Sequence, residues 1–173
     1  PYLKQNSRIL RPANYPPDNP GRGVTVLNTR SGEQVAVINL QGRVFMPATD
    51  DPFRTVDSEL GRLPEGIKVI FVDMHGEATS EKVAMGWYLD GRVSAVVGTH
   101  THIPTADETI LPGGTAYITD VGMAGPFFSV IGMVKEDVIH RFLTSIPGKF
   151  DSASQDVRLN AVLVEVDSTT GKA

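Results

Sequence analysis

Lys68-Val-Ile-Phe-Val-Asp-Met-His75-Gly-Glu77 and Ser94-Ala-Val-Val-Gly-Thr-His100-Thr-His102 are the two stretches whose reading decides the fold. Each begins with an unbroken apolar run that ends at Asp or Gly. A run of this kind reads as a strand buried on both faces, as in parallel sheets. Between them, Thr79-Ser80-Glu81 offers a hydroxyl cap and an acid for the first turn of a helix. Val83, Ala84, Trp87 and Tyr88 give that helix an apolar side, and Asp90-Gly91 ends it. Strand, helix and strand within roughly 30 residues make a parallel crossover. Residues 68–73 and 94–98 should therefore be neighbouring parallel strands, with helix 80–90 crossing over them.

Further elements follow outward from this unit. Pro and Gly crowd residues 12–23, marking an irregular loop. Residues 23–28 and 34–40 are β-branched runs separated by Thr29-Arg-Ser-Gly-Glu33, the pattern of a hairpin. A short helix is expected around residues 53–63. A strand at 115–119 is closed by Asp120-Val-Gly122, and a helix at 135–143 and a final strand at 159–166 complete the chain. The length of 173 residues suits a single α/β domain, residues 1–173.

Composition removes several classes of function. With no cysteine, there is neither a thiolate metal site nor a cysteine nucleophile. A net charge of -4 gives no reason to expect binding along a nucleic-acid backbone, so no long nucleic acid is expected as a partner. No apolar stretch nears the length of a membrane span, and no signal-peptide pattern is visible; a cytoplasmic location is expected.

Three of the chain's four histidines, His75, His100 and His102, fall at the ends of the two apolar runs. Ligands of open α/β sheets bind outside the carboxyl ends of strands, and neutral imidazole is the commonest side-chain ligand of transition metals. In an extended chain His100 and His102 would point the same way, converging on one cluster or serving two adjacent ions. The three are read as metal ligands. His140 is grouped with Val138, Ile139, Phe142 and Leu143 on the late helix, away from any site. Asp120, at a strand end, is as compatible with a plain turn as with the site. Arg11 and Asn14 precede a strand and are read as loop or capping residues. Gly113-Gly114 lacks the helix and lysine of a phosphate loop.

Gly98-Thr-His100-Thr-His102 resembles the closing motif of calcineurin-like metallophosphoesterases. The likeness narrows with Leu10-Arg-Pro-Ala-Asn-Tyr-Pro-Pro17, Asn39-Leu-Gln-Gly-Arg43, Glu77-Ala-Thr-Ser-Glu-Lys82, Gly98-Thr-His-Thr-His-Ile-Pro104 and Ile118-Thr-Asp-Val-Gly-Met123. Together these resemble the YmdB-type phosphodiesterases of bacteria. The resemblance implies a layered sandwich of two β-sheets flanked by helices around a two-metal centre. It implies hydrolysis of cyclic nucleotides such as 2′,3′-cyclic AMP by a hydroxide that two divalent ions (Mn, Fe or Zn) activate. His75 and His100 would ligate one ion and His102 the other. The family's opening aspartate, its Glu-Asn pair and its Gly-Asn-His turn have no counterpart here. The chain is thus expected to lack the N-terminal third of the domain, and with it the general-acid histidine. A homo-oligomer is expected.

Two other readings stand beside this one. A catalytically incomplete regulatory or interaction domain would keep half a metal site. A metal-dependent amide or deaminating hydrolase would need a general-acid glutamate, for which Glu77 is the candidate.

Overall fold

The computed structural model describes residues 2–173. In chain order its elements are α1 (Tyr2–Gln5), β1 (Val24–Asn28), β2 (Gln34–Gln41), α2 (Pro52–Leu60), β3 (Val69–His75), α3 (Thr79–Leu89), β4 (Ala95–Thr99), β5 (Thr109–Ile110), β6 (Ala116–Ile118), β7 (Ala124–Pro126), α4 (Lys135–Thr144) and β8 (Val157–Leu159). One six-stranded sheet runs in the order β1-β2-β3-β4-β6-β5, and β7 and β8 form a separate two-stranded ribbon. β2, β3, β4 and β6 are parallel, while β1 and β5 pair antiparallel at the two edges. The expected hairpin, the parallel crossover and the mixed α/β class are all present.

Register assigns the two faces of the sheet. Ile38, Val72, Val96 and Tyr117 align as Cα partners across four strands. These side chains join Met85 and Leu89 of α3 and Val56 of α2 in one buried cluster. Burying side chains of this size contributes about 1.5–3 kcal/mol each, so this face supplies most of the cohesion. Alternate residues of β3 point the other way: Phe71, Asp73 and His75 are half-buried, whereas Ile70, Val72 and Met74 are buried.

Close packing of α3 depends on glycine. A Cβ on Gly86 would lie 2.5 Å from the Tyr117 ring, and one on Gly98 would lie 1.7 Å from the Thr119 carbonyl oxygen. Neither position has room for a side chain.

Three expectations are corrected. Thr79 does not cap α3: Ala78 occupies the N-cap with no side-chain hydrogen bond, and Thr79 is the first helical residue. The face that α3 buries is Glu81, Lys82, Met85, Gly86 and Leu89, leaving Trp87 and Tyr88 exposed. Tyr88 instead donates to Asp57 of α2 and stacks edge-on against Phe53, a bracket between helices outside the core. The final strand is Val157–Leu159, and residues 160–166 form no strand. Those residues include the apolar run Ala161-Val-Leu-Val164, but they have no ladder partner among the described residues.

Candidate metal centre

β3 and β4 end side by side, with His75 and Thr99 in register. The chain just past each of these ends is short of regular structure, and the side chains there hydrogen-bond to one another. His75 and His100 meet edge to face, ring centroids 4.8 Å apart, with His75 Nε2 and His100 Nδ1 separated by 3.0 Å. His102 does not join them. Its Nδ1 donates to the Ile131 carbonyl at 2.8 Å, in the loop between β7 and α4. The expectation of an extended segment fails here: φ is 116° at His100 and 69° at His102, so the two rings diverge. Backbone of this hand at two non-glycine residues costs of order 1–3 kcal/mol each and persists only where the surroundings enforce it.

The enforcing groups are visible. Thr101, between the two histidines, donates both its N–H (3.0 Å) and its hydroxyl (2.8 Å) to Asp120 Oδ2. Asp120 also accepts from Lys82 Nζ at 2.9 Å, and the two side chains are each 1% exposed. Burial pushes the Asp120 carboxyl up, but donation from Lys82, Thr101 and Gly122 outweighs it and holds the pKa below the ordinary 3.8. The ion pair thus pins the His100–His102 turn to α3. Asp120, which the sequence left between turn and site, braces the site from behind.

Proton placement follows from the partners. Thr99 Oγ1 donates to Asp73 Oδ1 at 2.8 Å, and Asp73 Oδ2 accepts from Asn39 Nδ2 at 2.7 Å. Thr99 is therefore the acceptor in its 3.0 Å contact with His75 Nδ1, which carries the proton. On His100, Nε2 stands 3.1 Å from Glu77 Oε2, which can only accept. Both outer partners draw the ring protons outward, so the lone pairs of His75 Nε2 and His100 Nδ1 face each other. Two lone pairs at that distance repel unless a proton or a cation lies between them. The same logic leaves the Nε2 lone pair of His102 free, because its Nδ1 proton is spent on a carbonyl. Burial, with His100 acting in the same direction, lowers the His75 pKa below its ordinary 6.5 against the opposing pull of Asp73 and Asp120. The neutral form is the one that ligates.

These residues fit a metal. Two nitrogens on adjacent corners of a coordination sphere with bonds of about 2.1 Å lie about 3.0–3.4 Å apart, which matches the observed pair. They fit part of a site: among the described residues no three His, Asp or Glu side chains converge on one point. The remaining candidates have other roles. Asn14 is buried and bonds the Gln41 and Asp50 carbonyls and Thr49, Arg11 donates to the Pro12 carbonyl, and His140 lies on α4. The sequence reading missed Thr99, Asn39 and Lys82. The signal for Lys82 was present, since 82, 85, 86 and 89 is helical spacing with one cation in the stripe.

A family profile described as YmdB-like protein matches residues 1–173. The chain belongs to that family. A relative in Bacillus subtilis (strain 168), named 2′,3′-cyclic-nucleotide 2′-phosphodiesterase, is 52% identical over 172 residues, covering 99% of this chain and 65% of the relative. The crystal structure of a hypothetical protein from Thermus thermophilus matches with a TM-score of 0.84 at 47% identity, over 88% of this chain and 60% of that one. That of a novel phosphatase from Mycoplasma pneumoniae matches with a TM-score of 0.80 at 35% identity, over 88% and 55%. The chain therefore spans under two-thirds of the length of each of these relatives.

Proposed function

We propose that this chain carries part of the active centre of a metal-dependent phosphodiesterase that hydrolyses cyclic nucleotides such as 2′,3′-cyclic AMP. The observation that carries the reading is the 3.0 Å approach of His75 Nε2 and His100 Nδ1 at the carboxyl ends of two parallel strands, where the outer partners of both rings assign the lone pairs to the facing nitrogens. The name of the Bacillus subtilis relative supports the substrate class.

His75 and His100 would hold one ion and His102, through Nε2, a second; the donor set suits manganese, iron or zinc. When bound, such ions polarise a phosphate and lower the pKa of a water towards neutrality. The chain's own residues orient and protect this site. Asp73, through Thr99, keeps the His75 proton on Nδ1, and Glu77 keeps the His100 proton on Nε2. Lys82 and Asp120 hold the turn that aims His100 and His102 apart. The leaving ribose oxygen would take its proton from a group in the part of the relatives' length that this chain does not span. Residues 1–173 would form one domain of a layered two-sheet sandwich, in a cytoplasmic homo-oligomer. Among the described residues no helix is long and apolar enough to cross a membrane.

The test is metal content and phosphodiesterase activity of this chain and of the complete gene product, with manganese or iron added. His75→Ala and His100→Ala should each lower bound metal several-fold while leaving the circular dichroism spectrum in place. Unchanged metal content in both variants would remove the assignment. Metal binding without turnover in the complete product would favour the regulatory or interaction domain, a reading that the lack of a three-ligand cluster among the described residues supports.

A further inference from the structure

The loop that follows β2 is fastened far more firmly than a surface connection requires, and it presents a bare aromatic ring. Phe45 is 89% exposed, and its φ is 60°, a backbone setting that bulky side chains rarely adopt. Everything around it is tied down. Gly42 N–H donates to the His75 carbonyl at 2.8 Å, which anchors the start of the loop to the strand end that carries the candidate ligand. The carboxylate of Glu81 accepts from the backbone N–H groups of Arg43 (3.0 Å) and Val44 (3.2 Å). Arg43 reaches Asp51 at 2.6 Å, and Asp51 also caps α2. Buried Asn14 donates to the Gln41 and Asp50 carbonyls and so clasps both ends. The Met46 N–H closes the turn onto Arg43 O.

A strained residue held by this many contacts has a conformation that the fold specifies, and strain of this kind gathers at functional sites. Phe45 lies three residues beyond Gly42, so its Cα is within about 11 Å of the residue bonded to His75. A nucleotide whose phosphate sat at His75 and His100 would extend its base over a comparable span, towards the loop that Gly42 anchors to His75. Aromatic rings bind bases face to face without sequence preference, and a rigid ring does so with little ordering cost.

We propose that Phe45 is a specificity residue that stacks on the nucleobase of the substrate, so that the family's cyclic nucleotide is recognised at its base by the β2–α2 loop and at its phosphate by the histidines. This inference rests on the phosphodiester reading above. Glu81 and Asn14 are then positioning residues, setting the ring through the loop backbone.

The test compares 2′,3′-cyclic AMP with methyl riboside 2′,3′-cyclic phosphate, which has the same reacting group and no base, in the complete gene product with manganese. Turnover of the base-free compound by the unsubstituted protein tests the phosphodiester reading by itself. For Phe45→Ala, the preference in kcat/KM for the base-bearing substrate should fall about tenfold or more, mostly through a higher KM. Phe45→Trp should restore it. Equal losses on both substrates, no loss on either, or a change of oligomeric size in Phe45→Ala would overturn the inference. Lack of turnover of both substrates by the unsubstituted protein would overturn the inference and the phosphodiester reading together.

Discussion

Replacing Lys82 with Met removes one charge from a pair in which each side chain is 1% exposed and leaves most of the stem packing intact. Breaking a buried pair from one side costs about 3–5 kcal/mol, because the surviving charge stays buried. The structure ranks the two ways of breaking it. Without Lys82, Asp120 keeps three donors: Thr101 N–H, Thr101 hydroxyl and Gly122 N–H at 2.9 Å. Lys82→Met should therefore cost about 3 kcal/mol, the lower end of that range. Without Asp120, the Lys82 ammonium has no other acceptor among the described residues, and Asp120→Ala should cost about 5 kcal/mol. At roughly 2–4 °C per kcal/mol for a chain of this size, the two variants should melt about 6–12 °C and 10–20 °C lower. The sign with pH also follows. Because folding lowers the Asp120 pKa, its contribution is complete above 3.8 and is lost as pH falls below that value. Lys82→Met raises the folded pKa of Asp120, so its acid-unfolding limb should begin at higher pH than in the parent. Urea melts of the metal-free chain between pH 3 and 7 measure both effects. A Lys82→Met stability within 1 kcal/mol of the parent, or Asp120→Ala milder than Lys82→Met, would refute the reasoning.

Other outcomes follow from contacts already described. Gly98→Ala should cost about 4 kcal/mol or more, since its Cβ would fall 1.7 Å from the Thr119 carbonyl oxygen and backbone must move; a melting temperature within a few degrees of the parent would contradict this. Glu81→Ala should cost about 2 kcal/mol by stranding the Arg43 and Val44 N–H groups, and hydrogen exchange at those two amides should accelerate at least tenfold. Unaltered exchange there would mean that the carboxylate does not hold the loop.

The β3–α3–β4 unit is legible in the sequence because each strand writes an unbroken apolar run and closes on Gly or Asp, although only β4 is buried on both faces and β3 is half-buried on one. The hairpin is legible for a similar reason. The buried face of α3 is not, because a lysine in a helix reads as a solvated cation, and the burial of Lys82 depends on a partner 38 residues away in the sequence. Residues 160–166 show the opposite limit. Their β-branched apolar run suits a strand, but a strand needs a ladder partner, and without one Leu163 stays 90% exposed. At the site, the positions of His75 and His100 can be read from strand ends. The divergence of His102 cannot, because it comes from two left-handed residues that Asp120 enforces through Thr101. Sequence spacing carries no record of such a brace.

β3 has a consequence for how the chain can change over time. Its buried residues Ile70, Val72 and Met74 answer to packing against two helices, while Phe71, Asp73 and His75, one step along, answer to what sits above the sheet. The two sets share a backbone but not a selective pressure. Tolerance to substitution along this strand should therefore resemble a comb. Apolar exchange would be permitted at every second tooth, and chemical identity demanded at the teeth nearest the carboxyl end. A single-residue insertion would shift every tooth at once, turning the imidazole into the helices and a methionine towards the candidate metal centre. The strand can drift in composition, but not in length.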